Sequence, residues 1–240
     1  DPSTSIRKRG LRGRISRGAR QQAVDYFDKR SSVTNLLSSQ IIPVRLVTGE
    51  TRKCSLPELL EILSSSDECV RVEGIRPHQQ QAFDTFLVQV AAATLFRAGH
   101  DECPDAGMDW KQAIISLAGE ECWNLVSADD RPAFLQPPVV GEWNPSEQAS
   151  PGDIGRLVLA KNHSVKYGLG NPADPWMWCI ALLELQTLSG YLGRGNYGIS
   201  RQNSGTGTRI YADFVPRGGY GAWFRRDVAM VISGRDEIFE

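Results

Sequence analysis

The residues best suited to chemistry sit in one run, Gln186 to Gly221, which holds nine of the chain's 23 glycines. Between those glycines lie Arg194, Arg201, Arg209, Asn196, Asn203, Tyr191, Tyr197 and Tyr211. Glycine reaches positive φ and lets a backbone approach another molecule closely. Successive peptide N–H groups in such turns form anion-binding concavities, and arginine offers a fork to phosphate or enters a minor groove. Gly193, Arg194, Gly195, Asn196, Tyr197, Arg201 and Asn203 are therefore read as a backbone-led contact for nucleic acid. The same glycines serve equally well as plain turns of a surface loop. Lys161, Asn162, His163 and Lys166 make a second polar and basic cluster, suited either to a phosphate backbone or to an exposed loop.

Catalytic constellations are sparse. His78, His100 and His163 are the only histidines, and none stands in an HExxH or similar spacing. The string Gly193-Arg194-Gly195-Asn196-Tyr197-Gly198 matches the glycine positions of a dinucleotide loop, but it follows a helix rather than a strand. No GxxxxGK[ST] is present, and the adjacent acids Asp129 and Asp130 suit a solvated helix end as well as a metal. The reading is a non-enzymatic protein with no catalytic residue, no metal and no cofactor. The alternative is a phosphate- or nucleotide-binding enzyme that uses the glycine run as an anion cradle, for which no nucleophile or base is assembled.

Composition narrows the class. A hydrophobic content of 41% and a charged content of 23% match an ordinary globular protein. No apolar run nears the ~20 residues a membrane-spanning helix needs, and no secretory signal is read. Cys54, Cys69, Cys103, Cys122 and Cys179 are scattered, odd in number and without a CxxC pair, as expected of reduced cytoplasmic thiols. Charge is unevenly divided. Residues 1–30 hold nine basic and three acidic side chains, a balance of +6, so the net charge of −1 leaves −7 on residues 31–240. Residues 1–34 read as a basic arm for nucleic acid or as a solvated linker.

The elements that must position these residues begin near Asn35. Ile41 to Val47 predicts a strand closed by Thr48-Gly49. Ser55-Leu56-Pro57-Glu58 has capping-box spacing and predicts a helix to about Leu63. A longer helix from Pro77 places Phe83, Phe86, Leu87, Val90 and Leu95 on one face and ends near Gly99. Helical pieces are expected at Trp110–Leu117 and Glu120–Val126, followed by a proline-rich connection. Asp174-Pro175 opens an apolar helix from Trp176 to about Leu188, with Trp176 and Trp178 as core, and strands are expected around Arg209–Phe214. The fold class is α+β, with helices and short antiparallel strands around one core and long Gly/Pro-rich loops.

The order of these motifs resembles the CasA family, the large subunit of the type I-E CRISPR surveillance complex, Cascade. The resemblance runs from Asn35-Leu36-Leu37 and Ile42-Pro43-Val44-Arg45 through Ser55-Leu56-Pro57-Glu58-Leu59-Leu60. It continues through the helix from Pro77 to Arg97, Pro132-Ala133-Phe134-Leu135-Gln136, Asn162-His163 and the glycine run. It implies that residues 35–240 are a CasA-like amino-terminal domain that reads the protospacer-adjacent motif (PAM) from the minor groove. Gly193 to Asn196 would stand in the family's glycine loop, and Lys161 to Lys166 in the loop that docks near the crRNA 5′ end. The implied partners are the other Cascade subunits, crRNA, double-stranded target DNA and a helicase-nuclease effector, with no membrane. Family chains continue into a carboxy-terminal helical bundle, and their lysine and glutamine-wedge elements for PAM reading would lie beyond Glu240.

Overall fold

A computed structural model describes residues 34–104, 106–128, 130–138, 150–153, 174–187 and 218–234. The chain divides between Val33 and Thr34, and all described residues belong to the second unit. Five α-helices and one three-stranded antiparallel sheet make up this α+β fold among the described residues.

Strand β1 (Ile42–Leu46) is central, with β2 (Thr51–Cys54) and β3 (Cys69–Val72) on either side. Side chains alternate across a strand. Ile42, Val44, Cys54 and Val72 accordingly face inward and are buried, while Pro43, Arg45, Lys53 and Arg71 face outward; a register shift between Arg45 and Leu46 pairs Leu46 with Cys69, which is buried as well. The hairpin between β1 and β2 turns through Gly49 at φ +85°, which a side-chain-bearing residue would adopt only with strain.

Helix α1 (Leu56–Ser65) starts at the anticipated capping box. The Glu58 carboxylate accepts from the Ser55 N–H at 2.7 Å and from the Ser55 hydroxyl at 3.0 Å. Burial alone would raise this carboxyl. The Ser55 N–H, Gln40 and the Ser55 hydroxyl outweigh that and hold it below its ordinary value. Helix α2 (Pro77–Ala98) stops at Gly99, whose φ of +77° suits a left-handed cap. Of the face expected on this helix, Phe83, Leu87 and Leu95 are buried, and Phe86 and Val90 pack partly buried against the same core. Ala82, Val88, Ala91, Ala92 and Thr94 are buried as well, because α2 is wrapped by three other helices. These are α3 (Trp110–Ala118), capped by Asp109, α4 (Pro175–Thr187) and α5 (Gly219–Ser233).

Two expectations change. The helix foreseen over Glu120–Val126 is a single 3-10 turn, Glu121–Trp123. The backbone leaves it to pair with the amino end: Leu36 N–H donates to the Trp123 carbonyl at 3.0 Å, and Leu125 N–H to that of Thr34 at 2.8 Å. The Asn35 amide locks this junction through the side-chain oxygen of Asn124 (2.7 Å) and the Glu120 carbonyl (3.2 Å). Second, Gly218, Gly219 and Gly221 do not extend a contact loop; they start α5. A Cβ on Gly221 would lie 2.4 Å from the Ser66 carbonyl oxygen, so close helix packing explains this glycine.

Candidate nucleic-acid interface

Gly193, Arg194, Gly195, Asn196, Tyr197, Arg201 and Asn203 lie outside the described residues, and so do Lys161, Asn162, His163 and Lys166. The strands expected around Arg209–Phe214 lie outside them too, as do residues 1–33 of the basic arm expected over 1–34. What the structure describes is the pair of helices between which the first set is strung. Helix α4 ends at Thr187 and α5 begins at Gly219, and residues 188–217 between them carry four arginines against one aspartate.

Both helices are fixed to α2 by polar groups placed in the core. On the α4 side, Gln79 Nε2 donates to Glu184 Oε2 at 2.9 Å, with Glu184 fully buried. Gln79 Oε1 also accepts from the Arg76 N–H at 3.2 Å, which ties the start of α2 to the same pair. Removing one member of a buried hydrogen-bonded pair costs about 1–3 kcal/mol, so the contact fixes the geometry of α4 more than it adds net stability. Trp176 seats the other end of α4. Its indole N–H donates to the Glu73 carbonyl at 3.0 Å, and its ring meets Phe83 edge to face at 5.3 Å. Gly74, at φ +74°, leaves room for that ring: a Cβ there would lie 3.1 Å from Trp176 Nε1.

The last turn of α4 is held by the Pro132–Gln136 motif. Ala133 and Gln136 exchange both backbone hydrogen bonds, at 3.0 and 2.9 Å. The turn between them forces Leu135 to φ +57° and drives Phe134 between Phe86 and Trp123. A leucine at positive φ persists only where its surroundings over-determine it. Here the carbonyl of Leu135 accepts from Gln186 Nε2 at 3.1 Å, one residue before the helix ends.

On the α5 side, Tyr220 donates to Asp84 Oδ1 at 2.7 Å, and Gln80 donates to the same oxygen at 2.7 Å. Burial, then the Asp84 charge, pushes the Tyr220 phenol well above its ordinary value, so it remains a donor. Its ring stacks on Trp223 at 5.3 Å with an interplanar angle of 4°. Arg225 adds a clamp: Nη1 donates to the Leu63 and Ser66 carbonyls (3.0 and 3.1 Å), capping α1, while Nη2 pairs with Asp67 at 2.8 Å. Residues 79 and 84 stand little more than one turn apart on α2. The two flanks of the arginine- and glycine-rich segment thus rest on one short stretch of one helix.

Sequence reasoning missed a second basic feature, the outward face of the sheet. Arg45 on β1 and Arg71 on β3 are cross-strand partners and share the carboxylate of Glu73, Arg71 at 3.0 Å. Those two guanidiniums, through their hydrogen bonds, hold the Glu73 carboxyl below its ordinary value. Lys53 on β2 stands exposed on the same face. The i, i+2 spacing of Arg71 and Glu73 was the available signal, once Cys69–Val72 is seen as a strand.

Cys54 and Cys69 are buried, and burial raises their thiols to about 12 and about 11, so neither presents a thiolate. None of the five cysteines, all of them among the described residues, is joined in a disulfide. Among the described residues, no group of three His, Cys, Asp or Glu could hold a metal ion, and no helix is long and apolar enough to cross a membrane. No protein-family model matches the chain, and no curated protein or solved structure matches it either, so the likeness to CasA rests on its ordered motifs alone.

Proposed function

We propose that this chain is a cytoplasmic, non-catalytic DNA-binding subunit of a crRNA-guided CRISPR surveillance complex, corresponding to the amino-terminal domain of the CasA family. In this reading, residues 188–217 contact the PAM duplex through the minor groove. Gly193, Gly195 and their neighbours bring backbone close to the duplex, and Arg194, Arg201, Asn196 and Asn203 reach sugar-phosphate or base edges. Minor-groove readout is degenerate, which suits a short PAM, while pairing with the guide supplies the rest of the specificity. Lys161, Asn162, His163 and Lys166 dock the subunit on the complex near crRNA, and the placed DNA is passed to a helicase-nuclease effector.

The observation that carries this reading is the shared anchorage of α4 and α5 on α2 through Gln79–Glu184 and Asp84–Tyr220. A backbone-led contact works only if its two ends are held at fixed separation, and buried polar pairs supply that. The test is Gly195→Val in the assembled complex, challenged with a pool of duplexes randomised beside the target. The wild type should enrich a short motif, and the variant should lose that enrichment with its Tm unchanged. A wild type that enriches no motif removes the reading role.

A further inference from the structure

We propose that the outward face of the β2–β1–β3 sheet is a second, sequence-independent contact for the phosphate backbone of duplex DNA, working beside the segment between α4 and α5. The inference rests on the DNA-binding reading above but on different residues.

The face is laid out by strand register. Arg45 pairs with Thr51 on one side and Arg71 on the other. One step along, Pro43 pairs with Lys53, and its carbonyl accepts from the Glu73 N–H at 2.7 Å. Six positions in two rows therefore hold three cations, one carboxylate and two neutral residues, a local balance of +2. Residues 31–240 together sum to −7, so the patch runs against the charge of the body that carries it. Its cations are open: the side chains of Arg45 and Arg71 are 40% and 63% exposed, and Lys53 is exposed.

Edge strands often carry lysine or arginine to block strand addition. That accounts for Lys53, and for Arg71 on the opposite edge. It does not account for Arg45, which lies on the central strand, where no edge needs blunting. Nor is Glu73 a sufficient partner, since one carboxylate neutralises one of the three cations. What Glu73 does is hold two guanidiniums side by side in a fixed orientation. With strands about 4.8 Å apart, the three columns span roughly 10 Å, a flat width that a phosphodiester backbone can lie across. Two guanidiniums held on one carboxylate, with a lysine exposed beside them, suit positioning on phosphates rather than reading of bases.

The experiment uses the assembled complex and two double variants, Lys53→Gln with Arg71→Gln, and Lys53→Arg with Arg71→Lys. Each is titrated with salt on the enriched duplex and on a scrambled one. The glutamine pair should bind both duplexes about tenfold more weakly at low salt, with a log–log salt slope shallower by about two, and with the ratio between the duplexes intact. The charge-conserving pair should keep the wild-type slope. If the glutamine pair matches wild type in affinity and slope, or if only its retention in the complex falls, the face docks no DNA and the inference is overturned. A wild type without motif preference, but with the glutamine pair still weakened, would instead remove the PAM-reading function and leave this one standing.

Discussion

Two carboxyl groups show how differently the helical and sheet halves of this molecule use polar side chains. Glu184 on α4 is fully buried and held by Gln79 across the core. Glu73, beside the sheet, is partly exposed and shared by two arginines that are themselves open to solvent. In the helical half, Gln79 and Glu184 are matched out of water, where a missing partner costs most. In the sheet half, cations outnumber carboxylates, and each pair is screened, so none fixes the fold. The first arrangement determines geometry. The second leaves charge available to a ligand.

The contrast breaks most readily at Glu184. Glu184→Ala leaves a cavity and strips Gln79 of a buried acceptor, so unfolding free energy should fall by about 3 kcal/mol. For a domain of this size that is a drop in Tm of roughly 6–12 °C. A drop typical of a surface glutamate, within ~0.5 kcal/mol, would mean that α4 does not depend on its buried pair.

A smaller loss is expected at Tyr220→Phe, which removes one of the donors to Asp84 and should cost about 1–2 kcal/mol at neutral pH. Its pH dependence follows from the phenol's surroundings, burial first and then the Asp84 charge. The phenol's folded value is raised above its ordinary 10.0, so the stability it contributes is complete below pH 10.0 and is lost as pH rises toward the folded value. Wild type and Tyr220→Phe should therefore differ at pH 8 and converge in alkali. Parallel melting curves across that range would show that the folded protein does not hold the phenol against ionisation.

The helical half was the more legible in sequence, for a physical reason. Its start and stop signals are local: the Ser55–Glu58 box, Pro77 and Gly99 on α2, and Asp174-Pro175 on α4 each act within a turn of themselves. Helix α5 escaped because three glycines at its start have loop composition. Yet Trp223, Phe224, Val228 and Ile232 follow a helical period and are all buried, a pattern that was open to reading. The sheet was harder. Thr51–Cys54 and Cys69–Val72 are four-residue strands, too short for alternation to stand out, and only their pairing with β1 defines them. The long-range polar pairs were invisible for the same reason: nothing near Asp84 or Gln79 names a partner more than a hundred residues away.

The smallest effect on stability is expected at Glu73→Gln, and its sign opposes that of the buried phenol. The folded value of the Glu73 carboxyl lies below its ordinary 4.5, chiefly through the hydrogen bonds from Arg45 and Arg71. Its contribution is therefore present above pH 4.5 and lost as pH falls through the folded value. At neutral pH the variant should melt slightly below wild type, and the gap should close in acid and shrink in high salt. Duplex affinity should move the other way, because three cations would then face the phosphates with no carboxylate between them. A loss of Tm as large as that of Glu184→Ala, or a gap that survives acid, would make Glu73 a structural group like its buried counterpart. The division between a geometry-setting interior and a charge-presenting sheet would then fall.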